Sequence, residues 1–231
     1  MTRSSYYIFV MALTGFLSAV AGAATASDRT VALDKRHKAC LEQIAIDQEY
    51  ALEDAMIWRD QGGGRRARHC EAMALFALGH EDEAAHRLDL LAGGADGGSD
   101  DMRRNFRSEA ANFWLAAGNA RKAYESATAG LKLDPDHVDL RVARARAYTI
   151  TGQYKFAETD LSTVLKDAPY HAEALRYRAD ARFRQQRYEA ALNDIEASLN
   201  ADPTSVDTAL LRGHIREAIR IEEAAAADGD E

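Results

Sequence analysis

Two consecutive stretches of equal length decide the fold. Residues 138–171 read VDLRVARARAYTITGQYKFAETDLSTVLKDAPYH, and residues 172–205 read AEALRYRADARFRQQRYEAALNDIEASLNADPTS. Each stretch has a proline at the same place, Pro169 and Pro203, and Pro135 stands 34 residues before the first of them. The chain contains no other proline. Equal spacing at a known helical-repeat period predicts an array of repeated units.

The two stretches also match in residue type. Apolar residues recur three to four positions apart within each stretch, which is the spacing of one face of an α-helix. Gly152 separates two such runs, and glycine ends a helix at low cost because it readily takes the left-handed conformation. Each unit is therefore predicted to be a helix–turn–helix. The matched pairs include Arg144/Arg178, Ala145/Ala179, Tyr154/Tyr188, Ala157/Ala191, Asp160/Asp194 and Leu165/Leu199.

This pattern resembles the tetratricopeptide repeat family. The family's 34-residue motif has a small residue, an aromatic, a glycine turn, a tyrosine, an alanine, large apolar residues and a proline in that order. The resemblance implies an all-α fold, an α-solenoid of stacked helix–turn–helix repeats, and a role in protein binding. The second stretch departs from the motif at Gln186, which replaces the turn glycine. In residues 138–171 the motif positions hold Ala145, Tyr148, Gly152, Tyr154, Ala157, Leu161, Leu165 and Pro169.

The repeat register divides the chain into successive segments. Upstream, Gly79 and Gly118 are 39 residues apart rather than 34, which predicts an insertion between their units. End units must present a polar outer face, so the terminal segments are expected to diverge. The predicted segments are a signal peptide (1–26), a divergent helical hairpin (27–64), a degenerate repeat (65–103) with an inserted Gly-rich loop (93–101), three full repeats (104–137, 138–171 and 172–205), a capping helix (206–223) and an acidic tail (224–231).

Residues 1–26 have the layout of a secretory signal peptide. Arg3 precedes an uncharged apolar run at 6–20, and Ala-Thr-Ala at 24–26 is an Ala-x-Ala cleavage site. We therefore expect export to the periplasm or the cell exterior, with cleavage before Ser27. The alternative is an uncleaved anchor, because the apolar segment is just long enough to span a bilayer. The protein would then be a membrane-tethered assembly factor.

The two cysteines, Cys40 and Cys70, both follow the predicted cleavage site. An oxidising compartment permits a disulfide between them, and two free thiols are the alternative. His37 and His69 lie close to them in sequence, which raises a zinc site, but adjacent helical residues such as His69 and Cys70 point about 100° apart. We expect no metal and no cofactor. A redox- or metal-responsive protein built on these cysteines is a further alternative.

Arginines and aspartates also follow the 34-residue period. Arg144, Arg178 and Arg212 occupy one repeat position, and Asp160 and Asp194 occupy another. A guanidinium and a carboxylate can form two parallel hydrogen bonds. Strict repetition therefore predicts a structural ladder at or near the repeat interfaces. The sequence leaves open which arginine pairs with which aspartate.

The family resemblance implies where a partner binds. In this family the first helix of each unit lines a concave face. The mixed charge of those positions suits an extended or helical peptide, and a solvated face without a partner is the alternative. The family's carboxylate-gripping residues are matched only by Asn112 and a few arginines, so we do not transfer that clamp. The implied face residues are Asn105, Ser108, Asn112, Asp139, Val142, Arg146, Glu173, Arg176, Asp180 and Phe183.

Charge and motifs limit the functional class. The net charge of −8 argues against binding to nucleic acid or to anionic lipid. The sequence contains no nucleophile elbow, phosphate-binding glycine loop or His-Glu-x-x-His motif. We therefore expect a non-enzymatic interaction or scaffold module of a bacterial cell envelope, with a protein or peptide partner, no nucleic acid and no specific membrane binding after cleavage. Its oligomeric state is left open.

Overall fold

The computed structural model describes residues 26–229, and these form eleven α-helices and no strand. A short π-helical turn, Arg59–Gly63, joins the second helix to the third. Apart from Ala26, the predicted signal peptide lies outside the described residues. The helices are α1 (Ala26–Ile44), α2 (Gln48–Trp58), α3 (Gly64–Ala77), α4 (Glu81–Gly93), α5 (Asp100–Ala116), α6 (Ala120–Leu131), α7 (Val138–Ile150), α8 (Tyr154–Asp167), α9 (Ala172–Phe183), α10 (Tyr188–Ala201) and α11 (Val206–Gly229).

Each helix packs against the next, and the resulting pairs stack along the chain. The first helices of neighbouring pairs also touch each other: α1 contacts α3, α5 contacts α7, α7 contacts α9 and α9 contacts α11. In the described part of the chain no comparable contact joins successive second helices. The first helices therefore lie on the inner side of the stack. The predicted α-solenoid of helix–turn–helix units is confirmed.

The same turn closes the first helix in four units. Gly79, Gly118 and Gly152 have φ angles of 82°, 74° and 77°, and Gln186 has a φ of 60°. After each of them, the next residue donates its amide hydrogen to the carbonyl oxygen five residues earlier, at 2.8–3.0 Å. These turns are equivalent, so the 39-residue spacing between the first two reflects extra residues between units.

Alanines allow the paired helices to approach closely. Ala145 and Ala179 in first helices, and Ala157 and Ala191 in second helices, are completely buried. Leu161 and Ile195 are also completely buried and fill the space beside them. Burying a side chain of that size stabilises the fold by about 1.5–3 kcal/mol.

The inserted loop is shorter than the sequence predicts. Helix α5 begins at Asp100, inside the segment 93–101 expected to be loop, so residues 94–99 connect α4 to α5. Ser99 caps α5 by accepting a hydrogen bond from the amide of Met102 at 3.4 Å. A serine cap followed by two aspartates satisfies and neutralises a helix N-terminus, which explains the earlier start.

Helix α11 is longer than the predicted capping helix. It continues from Val206 to Gly229, past the boundary expected at residue 223. Alanines at 224–227 are strong helix formers and extend it into the segment predicted to be an acidic tail. Among the helices of residues 26–229, none has the length and apolar character needed to cross a bilayer.

Candidate functional site

The first-helix face is the surface carried by α1, α3, α5, α7, α9 and α11. The ten residues predicted to contact a partner lie on α5, α7 and α9 of this face. Asn105, Asp139 and Glu173 are exposed. Val142 is only 6% exposed and packs in a core cluster with Leu161, so its side chain is not available to a partner. The other six are partly buried.

A line of polar contacts crosses four helices of this face. Arg146 on α7 donates to the Oδ1 atom of Asn112 on α5, at 3.1 Å. The guanidinium of Arg146 lies 5.0 Å from the ring centroid of Tyr177 on α9, and that of Arg176 lies 4.1 Å from the same ring. Arg176 reaches Asp207 on α11 at 3.8 Å. We call these five residues the polar line.

The polar line fixes two positive charges in the middle of the face. A guanidinium beside an aromatic ring gains about 0.5–1 kcal/mol at an exposed site, and here two of them share Tyr177. The side chain of Arg176 is 20% exposed, so part of its guanidinium still faces solvent. The face therefore offers charged donors whose side chains are held in place before any partner arrives.

Tyr177 is a residue that the sequence prediction missed. The positions 34 and 68 residues before it hold Ala143 and Ala111, both fully or almost fully buried. A tyrosine where equivalent units have alanine is the signal that could have identified it. Its ring supports the arginines on either side.

The remaining predicted residues make local contacts. Asp180 accepts a hydrogen bond from Arg184 on its own helix at 3.1 Å. Phe183 packs against the ring of Tyr188 on α10, with centroids 5.8 Å apart. Ser108 accepts the side-chain amide of Asn112 at its carbonyl oxygen. Of the predicted set, only Asn112, Arg146 and Arg176 therefore belong to the polar line.

A cavity of about 210 Å³ opens at the N-terminal end of the same face. A hydrogen-bonded chain forms one side of it: His37 Nε2 lies 2.9 Å from His69 Nδ1, and His69 Nε2 lies 2.9 Å from Glu109 Oε2. Because a carboxylate can only accept, His69 donates to Glu109 and accepts from His37. The cavity is lined by Asp34, His37, Arg65, Arg66, His69, Met102, Asn105, Phe106 and Glu109.

The environment of this chain lowers the pKa of His37 to about 4. Burial is the largest cause, since it disfavours the charged imidazolium, and the positive potential of His69 and Arg66 adds to it. His37 is therefore neutral near pH 7. The cavity also holds the side chains of Arg65 and Asn105, for which the described residues provide no hydrogen-bond partner.

Cys40 on α1 and Cys70 on α3 are joined by a disulfide. Cys40 is 5% exposed and Cys70 is completely buried, and both pack with Ala55, Trp58 and Ala67. The bond ties the divergent hairpin to the next unit. In residues 26–229 no group of three or more His, Cys, Asp or Glu side chains is arranged to hold a metal ion. His69 instead bridges His37 and Glu109.

The repeated arginines and aspartates lie on the other side of the first helices and pair within a unit. Arg144 forms two hydrogen bonds of 2.7 Å to the carboxylate of Asp160, and Arg178 forms bonds of 2.8 and 2.7 Å to Asp194. Arg178 also donates to Ser162 of the preceding unit at 3.2 Å. The pairing that the sequence left open is therefore Arg144 with Asp160.

Arg212 departs from this arrangement. It lies 3.5 Å from Glu196 on α10, and no aspartate pairs with it in the part of the chain that the structure describes. The reason is that α11 continues as one helix, whereas α7 and α9 each turn back into a second helix that carries the aspartate.

Comparison with known proteins identifies related sequences and folds. Over 64 residues the chain is 39% identical to Tetratricopeptide repeat protein 34 of Xenopus laevis; the match covers 28% of this chain and about a tenth, 11%, of that protein. The first TPR domain of human RPAP3 is 26% identical with a TM-score of 0.50, over 52% of this chain and 95% of that domain. No family model matches the chain.

A bacterial structure matches over more of the chain. The crystal structure of a thermophilic TPR protein from Thermus thermophilus superimposes with a TM-score of 0.57 at 17% identity. The match covers 79% of this chain and 98% of that one. At this level of identity the likeness concerns the fold, and it extends beyond the three regular units.

Proposed function

Because this chain is a tetratricopeptide-repeat protein, we propose that it is a non-enzymatic interaction module that binds an extended segment of a partner protein on its first-helix face. Stacked repeats create long binding surfaces of this kind. We further propose that it works in a bacterial cell envelope. The partner's identity is not part of the proposal.

The observation that carries this proposal is the polar line. It crosses α5, α7, α9 and α11, so a segment lying along it would meet charged and amide groups from successive units. Arg146 and Arg176 are already oriented by Tyr177, which reduces the conformational entropy that binding would cost. The cavity around His69 lies on the same face and has room for a single side chain of the partner.

Two independent features support an envelope location. The first 26 residues have the pattern of a cleavable signal, and the Cys40–Cys70 disulfide is of a kind that persists in oxidising compartments. N-terminal sequencing of the protein from cells tests this directly. An N-terminus at Ser27 is the expected result, and an intact N-terminus in the membrane fraction would favour the tethered assembly factor instead.

Photo-crosslinking in cells tests where the partner binds. A crosslinking amino acid at Asp139 or Glu173, both exposed on first helices, is expected to capture a discrete product. Matched controls at Thr159 on α8 and Glu189 on α10, which are equally exposed but on second helices, are expected to capture none. The same product from all four positions, or no product from any, would contradict the proposed face.

A further inference from the structure

Helix α11 is covered on one side only. Thr208 and Ile215 are completely or almost completely buried against the stack. On the opposite side Val206, Leu210 and Ile221 are 69%, 58% and 56% exposed. All residues from 220 to 226 are exposed, so the C-terminal part of α11 extends beyond the helices that support its beginning.

Gly213 stands in the middle of this uncovered side. Glycine weakens a helix interior relative to alanine, so its presence calls for a packing reason. A Cβ atom built at Gly213 would meet nothing within 4 Å, so the chain itself provides no such reason. Residues 206, 210, 213, 217, 221 and 224 follow at steps of three or four and therefore form one stripe along the helix. The glycine leaves a gap in that stripe where another helix could approach closely.

We propose that this stripe binds the same stripe of a second copy, with the two α11 helices antiparallel. Charge selects this occupant and this direction. Parallel helices would place Glu217 against Glu217 and Arg220 against Arg220. An antiparallel pair centred between residues 218 and 219 places Glu217 opposite Arg220 of the second copy, and does so twice by symmetry.

The same antiparallel register also matches the shapes of the stripes. It places Gly213 opposite Ala224 of the second copy, again twice, so small residues meet at both crossings. Glu217 and Arg220 are paired within one helix at 2.6 Å but remain 54% and 69% exposed, so both can also face a second copy. The exposed apolar residues Val206, Leu210 and Ile221 then become partly covered in both copies.

A charge-swap experiment on residues 27–231 tests the proposal. Analytical ultracentrifugation is expected to find the unchanged protein as a dimer at micromolar concentration. Glu217→Arg alone and Arg220→Glu alone each place like charges across the interface, so each is expected to raise the dimer dissociation constant by about tenfold or more. Mixing the two variants restores both opposite-charge contacts, so a heterodimer is expected to form.

Gly213→Leu provides a control that does not depend on charge or on loss of folding. The open space around Gly213 accepts a side chain in one copy, so helix content is expected to stay the same or rise while the dimer weakens. A protein that is monomeric up to about 100 μM would overturn the proposal. So would a dimer that none of these substitutions affects, because it would use another surface, and a helix of a different protein would then be the occupant to seek.

Discussion

At the scale of single residues, the structure explains how the first-helix face keeps His37 neutral. The ring is buried between α1 and α3, faces His69 and lies near Arg66, and all three influences disfavour its proton. Nearby carboxylates at Asp34 and Glu109 act in the opposite direction, but they do not compensate. The cavity therefore presents a neutral imidazole chain between charged side chains.

This arrangement makes stability depend on pH. The pKa of His37 falls from 6.5 in the unfolded chain to about 4 in the fold. Its contribution to stability is therefore complete above pH 6.5 and is lost as the pH falls from 6.5 to 4, because the unfolded chain then binds the proton more readily. His37→Gln keeps a donor toward His69 but cannot titrate, so it is expected to remove this part of the pH dependence.

Thermal unfolding at pH 7.5 and pH 4.5 measures the effect. Since the ring is partly solvated, we expect a discounted effect of about 1 kcal/mol, or a difference of about 2–4 °C in how far the midpoint falls between the unchanged protein and the variant. Comparing the two proteins cancels the titration of carboxylates elsewhere. An equal fall in both would contradict the assignment to His37.

Individual site residues could be predicted from the sequence only in part. The repeat register placed Asn112, Arg146 and Arg176 on the correct face, because residues 34 apart occupy equivalent positions. It could not tell that Val142 turns into the core, since that depends on the neighbouring unit. The chain from His37 to Glu109 joins three helices, and one of them, α1, lies outside the regular repeats, so no periodic signal announced it.

At the scale of helices, the arginine–aspartate pairs hold each unit together. Asp194 is 5% exposed and is bound by Arg178 and also by Arg182 at 2.8 Å. Removing one arginine from a buried pair leaves a charge without full compensation, which costs about 3–5 kcal/mol when no other partner remains. Because Arg182 remains, we expect Arg178→Ala to lower the free energy of unfolding by about 2 kcal/mol.

Chemical denaturation checks this value against a matched control. Arg121 on α6 is also paired with a carboxylate, Glu125, but its side chain is 87% exposed. Arg121→Ala is therefore expected to change stability by less than about 0.5 kcal/mol. Equal losses for the two variants would mean that the Arg178 pair adds no more than a surface pair does.

Gln186 illustrates how the helix register overrides local preference. Its φ of 60° is a conformation that side chains other than glycine adopt at a cost. The turn nevertheless forms with the same hydrogen bond from Arg187 to Arg182 that its glycine-containing equivalents make. Packing of α9 against α10 decides this turn, so a sequence rule based on glycine alone would have missed it. The loop before α5 and the end of α11 were mispredicted because caps and alanines acted locally.

At the scale of the whole molecule, the fold could be predicted almost entirely because it repeats. Three prolines fixed the period, and the equivalent turns at Gly79, Gly118, Gly152 and Gln186 carry it through four units. The segment before residue 64 follows no such period. There the Cys40–Cys70 disulfide adds a covalent tie between α1 and α3. The sequence left that bond open because spacing alone does not bring two cysteines together.

The most direct test of the proposed function measures binding of the partner segment captured by crosslinking. Isothermal titration calorimetry would compare the unchanged protein with Arg146→Ala, which breaks the polar line at its centre, and with Arg121→Ala, which lies on a second helix. We expect Arg146→Ala to weaken binding by about tenfold or more, because an oriented charged donor is lost, and Arg121→Ala to leave the affinity unchanged. Equal affinities for all three proteins would contradict a partner site on the first-helix face.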